Sequence, residues 1–212
     1  MLIERLGALL NEGPPGYDAQ NSMSVGNRMP PSPEELEKLN ARHAGVMALL
    51  FEEQNAWHTV LIRRPSYPGV HSNQIAFPGG KLEKEDDGYL AAALRETEEE
   101  VGAERNRIQV LGALSPLYIP PSNFLVHPFV GVLQKPLAWR PEEKEVAEVI
   151  EMPLDHILSD ANRVREYVET KYGKWKVPAF NYQGHVIWGA TGMMLAELAV
   201  AVNRAAGAES AF

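Results

Sequence analysis

The chain has 212 residues, no cysteine, and 20 lysines and arginines against 28 aspartates and glutamates, a net charge of −8. That length suits one domain with extensions, and the missing cysteine excludes a disulfide framework, a thiolate zinc site and a thiol nucleophile, as in a reducing cytoplasm. The acidic balance argues against nucleic acid or an anionic membrane as partner, but leaves open an anionic small molecule received by local cations or a metal.

Residues 1–12 place Glu4 and Arg5 inside an apolar pattern, which predicts an amphipathic helix and not a signal peptide. Residues 12–36 are rich in Pro, Gly, Asn and Ser and read as an irregular connection. Residues 44–51 and 57–64 are strand-like runs around a polar turn. The first is the longest apolar run, far short of the ~20 residues of a membrane span. A loop over 65–73 leads to a short strand at 74–77, which ends at Pro78-Gly79-Gly80. A helix is expected over 88–102, stopped by Gly102. Strands follow at 108–114 and 126–133, joined by a Pro-containing loop at 115–123. A short strand at 146–151 and a short helix at 153–158 come next. A hairpin over 164–169 and 174–181, a strand at 186–188 and a helix at 191–206 complete the order. Most connections are too short for crossover helices, so the expectation is an α+β layered fold and not a repeated βαβ unit. Residues 1–36 form an N-terminal helix and irregular extension, and residues 37–212 one domain that includes the C-terminal helix.

The chemistry concentrates in residues 77–103. At ~100° per residue, Leu90, Leu94, Thr97 and Val101 share one helix face, while Glu96, Glu99 and Glu100 gather on roughly the opposite one. Three neighbouring carboxylates repel one another. On an ordinary acidic helix they are a solvated face with ion pairs such as Arg95 with Glu99. Here a Pro-Gly-Gly turn precedes the helix, and glycine lets a backbone bend and approach a ligand. Carboxylates plus a backbone carbonyl make a hard oxygen site suited to Mg²⁺ or Mn²⁺, and hence to phosphoanhydride chemistry.

The segment resembles the Nudix box, G-x5-E-x7-R-E-U-x-E-E-x-G-U with U a bulky aliphatic residue. Arg95-Glu96-Thr97-Glu98-Glu99-Glu100-Val101-Gly102-Ala103 follows its second half, with Thr97 and Ala103 at aliphatic positions. Gly80 is the opening glycine. Asp86 stands where the pattern has its first Glu, and the spacing from there to Arg95 is one residue longer. The flanks, Leu61 to Ser66 and His71 to Lys81, are similar to the signature of the coenzyme A pyrophosphatase branch, which shares the longer spacing. Further likeness lies at Pro15-Gly16, Ala19-Gln20, Pro116 to Pro120, Met152 to Leu154 and Ile187 to Thr191. The resemblance implies the Nudix α/β/α sandwich, a mixed sheet between helices. It implies hydrolysis of the diphosphate of coenzyme A or its thioesters to 3′,5′-ADP and 4′-phosphopantetheine, with Mg²⁺ or Mn²⁺. It also leaves room for a homodimer.

In that reading Glu96, Glu99 and Glu100 hold the metal, with a carbonyl of Gly79 or Gly80 as a further ligand by family analogy. Arg95 orients a glutamate through an ion pair. Glu145, in the acidic run after Pro141, is the preferred extra ligand or base, although a box glutamate can also take the proton. Arg63 and Arg64 close a strand just before the signature loop, and guanidinium forks match phosphate oxygens, with Arg64 favoured. Lys81 and His71 complete the substrate-binding candidates. Two other functions stay open: hydrolysis of another nucleoside diphosphate derivative (NADH, ADP-ribose or a nucleotide sugar), and a non-catalytic Nudix-fold binding module. Only the signature at 61–81 separates the first from coenzyme A, and intact glutamates weigh against the second.

Overall fold

The computed structural model describes residues 1–26, 29–66, 72–134, 138–170 and 173–207. Its helices are α1 (Leu2–Glu12), α2 (Tyr17–Asn21), α3 (Pro33–Leu39), α4 (Tyr89–Val101), α5 (Leu154–Leu158) and α6 (Gly189–Ala206). Its strands begin with β1 (Arg42–Glu53), β2 (Ala56–Arg63), β3 (Ile75–Ala76), β4 (Gly79–Lys81), β5 (Ile108–Ala113) and β6 (Leu117–Ile119). They continue with β7 (Phe124–Leu133), β8 (Glu148–Pro153), β9 (Arg163–Thr170), β10 (Gly173–Tyr182) and β11 (His185–Trp188).

Among the described residues eight strands form one mixed sheet with the path β3-β2-β1-β7-β5; β4 adds to β1, β6 to β7 and β8 to β2. β1 and β7 run parallel, while β1 pairs antiparallel with β2 and β4. β9, β10 and β11 make a second, antiparallel sheet.

The continuous apolar run at 44–51 is the mark of a central strand covered on both faces. Its side chains alternate between two cores. Ala48 and Leu50 join one with Leu6 and Leu10 of α1 and Leu195, Leu198 and Val202 of α6. Met47, Leu49 and Phe51 join the other with Ala93 and Val101 of α4. The sheet therefore lies between α4 on one side and α1 with α6 on the other, the α/β/α sandwich expected. Gly45 sets how closely α4 docks on β1: a Cβ there would lie 2.1 Å from the Tyr89 carbonyl oxygen. α6 is buried nearly all round, as its Met193-to-Val202 run requires.

The stretch 12–36 is more ordered than expected. α3 starts with a reciprocal capping box between Ser32 and Glu35, and proline enters its first turn. It buries no residue, so no apolar periodicity advertised it. α2 carries Ala19 and Gln20 into the interior beside α6. The loop expected at 115–123 contains β6, and the strand expected at 146–151 starts two residues later as β8. Among the described residues no helix is long and apolar enough to cross a membrane.

Candidate active site

The site forms where α4 passes the turn into β4. Glu100 is 1% exposed, and the Gly79 N–H donates to its Oε2 at 2.8 Å. Glu96 rests on the neighbouring glycine: a Cβ on Gly80 would lie 2.4 Å from the Glu96 carboxyl carbon, so any side chain there would expel it. A third carboxylate arrives from the loop after β7. That loop is tied to the end of α4, with the Arg140 N–H on Val101 O at 3.0 Å and the Glu142 N–H on Glu100 O at 3.2 Å. Its next residues turn back on Glu142 and bury Val146 in the α4-side core. Glu145 is thereby delivered so that one oxygen each of Glu96, Glu100 and Glu145 lie within 4.8 Å of one another.

Burial pushes the Glu100 carboxyl up to about 7, against the Gly79 N–H and Arg64, and the charges of Glu96 and Glu145 add to the rise. Glu96 is also raised, by burial first, with Arg95 opposing. Like charges crowded at a half-buried place are costly unless a cation joins them. Three converging carboxylates beside a glycine turn are a hard oxygen donor set, so these residues fit Mg²⁺ or Mn²⁺.

Arg95 is the frame of the site. Its Nε and Nη2 donate to the two Asp86 oxygens, both at 2.9 Å. Its Nη1 reaches Glu96 at 2.9 Å and Glu99 at 3.0 Å, and its Nη2 also reaches the Lys81 carbonyl at 3.2 Å. Asp86 is held below the usual carboxylate range, chiefly by the Arg95 hydrogen bonds. Arg95 itself is raised further above its ordinary value, chiefly by Asp86. Sequence reasoning assigned Asp86 no role. The signal was its place at the pattern's first acidic position: the shorter side chain, reached over a longer spacing, still forks onto Arg95.

The adjacent arginines part company where β2 ends at Arg63. Arg64 Nη2 donates to the Gly79 carbonyl at 3.3 Å and stands 3.9 Å from Glu100 Oε1. Arg63 turns away to Glu148 at 2.9 Å and Asn73 at 3.1 Å. Lys81 is exposed and meets the site through its backbone carbonyl. Glu99 is the most exposed box glutamate, its side chain 56% accessible, and Arg95 links it to Glu96. His71 lies outside the described residues. The structure thus brings Glu96, Glu99, Glu100, Glu145, Arg95, Arg64, Gly79 and Gly80 together, and directs Arg63 elsewhere.

A sheet between helices, with one helix presenting glutamates to a glycine turn, defines a hydrolase of the Nudix type. Residues 41–179 match the NUDIX domain family, and the chain belongs to it. It is 36% identical over 176 residues to an uncharacterized Nudix hydrolase, NudL, of Photorhabdus laumondii subsp. laumondii, covering 83% of this chain and 92% of that one. The NudL of Pectobacterium atrosepticum is 37% identical over 144 residues, covering 68% and 74%. In shape the chain is similar to a MutT/nudix family protein from Enterococcus faecalis, with TM-score 0.51 and 16% identity, covering 89% of this chain and 72% of that one. The MutT protein from Methanosarcina mazei Go1 gives TM-score 0.51 at 15% identity, covering 77% and 95%. The protein is accordingly a pyrophosphohydrolase of nucleoside diphosphate derivatives, of a family that generally uses divalent metal ions.

Proposed function

We propose that this hydrolase cleaves the diphosphate linkage of coenzyme A or acyl-coenzyme A, releasing 3′,5′-ADP and 4′-phosphopantetheine or its acyl form, with Mg²⁺ or Mn²⁺ as cofactor. One observation carries the choice of substrate. The signature at 61–81 that resembles the coenzyme A branch supplies Arg64 and the glycine turn, and both abut the carboxylates of the box. A cysteine-free chain with no long apolar helix among its described residues suits a cytoplasmic pool of such substrates.

Glu96, Glu100 and Glu145 would hold the ion, with Glu99 and the Gly79 carbonyl as neighbours able to complete the set. Such an ion supplies charge neutralisation for the diphosphate and acidifies water at neutral pH. Burial and the Gly79 N–H fix the Glu100 carboxylate in one orientation. Arg95, clamped by Asp86, holds Glu96 and Glu99. Glu145, exposed at the rim, would take the proton of the attacking water at the carboxylate oxygen left off the ion, a part a box glutamate can also play. Arg64 supplies positive charge for a phosphate oxygen. None of these roles requires a second copy of the chain.

The test is a panel of coenzyme A, acetyl-coenzyme A, NADH, ADP-ribose and nucleotide sugars with Mg²⁺ or Mn²⁺, products identified by mass. The reading expects 3′,5′-ADP and the phosphopantetheine half from the first two. Intact coenzyme A beside a cleaved dinucleotide, ADP-ribose or sugar nucleotide would move the assignment to that substrate. A panel left wholly uncleaved would support the binding-module alternative.

A further inference from the structure

Two arginines flank the carboxylate cluster, and they are held very differently. Arg95 spends its fork on Asp86, Glu96, Glu99 and the Lys81 carbonyl, at distances from 2.9 to 3.2 Å, and its side chain is 19% exposed. Moving it would strip Asp86, whose side chain is 5% exposed, of its partner. Arg64 makes a 3.3 Å contact to the Gly79 carbonyl and stands 3.9 Å from Glu100, with its side chain 31% exposed. Its backbone is pinned, the N–H donating to Gln74 O at 3.0 Å. The guanidinium end is therefore the loosely held part, on an anchored stem.

The two groups it touches matter more than its looseness. The Glu100 carboxylate and the Gly79 carbonyl are both oxygens assigned above to a divalent ion. A guanidinium and a doubly charged ion at the same oxygens repel each other strongly in a partly dry site. Arg95 is fixed by Asp86 and faces Glu96 and Glu99, so the residue that yields is Arg64.

We propose that Arg64 is a displaceable counter-cation. It stands beside Glu100 and the Gly79 carbonyl, would give way to an ion bound at those oxygens, and would thereby be freed to meet the diphosphate. The proposal rests on the metal-dependent reading above and deepens it by naming the residue that sets metal affinity against substrate affinity. An arginine that merely braces the turn would weaken metal binding when removed. A counter-cation does the opposite.

The test is Mn²⁺ binding to the metal-stripped full chain, by calorimetry or by the free-ion electron paramagnetic resonance signal. Arg64→Gln should bind Mn²⁺ about five- to tenfold more tightly than wild type, the scale of removing one like charge a few ångströms away in a partly wet site. Arg63→Gln, which removes the same charge from the adjacent residue facing Glu148, should stay within about twofold of wild type if the effect is local. In turnover, Arg64→Gln should raise KM for the diphosphate while Mn²⁺ binding improves. Should Arg64→Gln fold poorly, Arg64→Met, which removes the same charge and keeps an apolar stem, carries the test with the same expected gain. Unchanged or weaker Mn²⁺ binding in the Arg64 variant, with wild type still binding, would overturn the displacement alone. Absence of Mn²⁺ binding in wild type would overturn the metal reading and the displacement with it.

Discussion

Among the described residues two glutamates are almost wholly removed from water, and they are treated in opposite ways. Glu197 on α6 is 0% exposed and is satisfied by the chain itself. It accepts from Gly16 N at 2.9 Å, Gln20 Nε2 at 2.7 Å, Ser115 N at 3.1 Å and Ser115 Oγ at 2.7 Å. Glu100 on α4, at 1% exposed, has the Gly79 N–H and a distant arginine, and it faces two further carboxylates. A buried charge with full hydrogen bonding is a structural knot, here tying the N-terminal segment and the residues after β5 to the last helix. A buried charge crowded by its own kind is destabilised unless a cation or a proton joins it.

The sharpest way to break the comparison is to remove the charge of Glu100. Glu100→Gln should lower the hydrolysis rate by at least ~10²-fold, the scale of losing a principal electrostatic catalyst, and Glu99→Gln should behave similarly. Its melting temperature should hold or rise, because a strained buried charge is gone. A near-normal rate in both variants would contradict the metal assignment. Glu197→Leu should do the reverse. It strands the donors of Gln20, Ser115 and Gly16, costing about 3 kcal/mol, which for a domain of this size lowers the melting temperature by roughly 6–12 °C. Thermal melts check it, and an unchanged melt would show the knot to be dispensable.

A smaller effect is expected where the two kinds of carboxylate meet. Asp86 holds Arg95, and Arg95 in turn holds Glu96 and Glu99. Asp86→Asn should reduce kcat about tenfold, in the range seen for groups that orient a metal's ligands, and Asp86→Glu should recover part of it. Steady-state kinetics decide, and loss of folding without loss of rate per folded molecule would make Asp86 a packing residue only.

The smallest effect concerns histidines near the start of α4. His43 Nδ1 and His127 Nε2 lie 3.0 Å apart, and His127 stacks on Tyr89 with ring centroids 3.7 Å apart. Burial, then the charge of His43, push His127 down to about 4. Its pKa is lower folded than unfolded, so the unfolded chain takes up more protons between about 6.5 and 4. The associated stability is present above that window and lost as pH falls through it. His127→Phe keeps a ring against Tyr89 and should flatten the fall in melting temperature over that window relative to wild type. Parallel curves would remove His127 from the account.

How much of this was legible in the sequence follows the range of the interactions. The strands at 44–51 and 57–64 and the helix at 88–102 announce themselves through local periodicity and glycine stops, and so do the glutamates that one helix carries. The pairing of β8 with β2, and of β1 with β7 in parallel, joins segments far apart and leaves no local mark. Glu145 reaches the cluster through a loop that Arg140 and Glu142 tie to the end of α4. Arg63 closes β2 and turns to Glu148 of the paired β8, while Arg64 follows the strand's end and turns to Gly79, a divergence with no local mark in the sequence. Glu197 did leave a signal, a lone acid within the apolar run 193–202, whose partners at 16–20 and 115 only the fold reveals.

The central claim is that Glu100 gathers a metal ion while Glu197 serves the fold. Mn²⁺ titrations of Glu100→Gln and Glu197→Gln, side by side above neutral pH where Glu100 is ionised, test it most directly. The account predicts that the first weakens Mn²⁺ binding by at least ~10-fold, as for loss of a charged metal ligand, and that the second binds as wild type does. Equal binding by both variants and the wild type would contradict it.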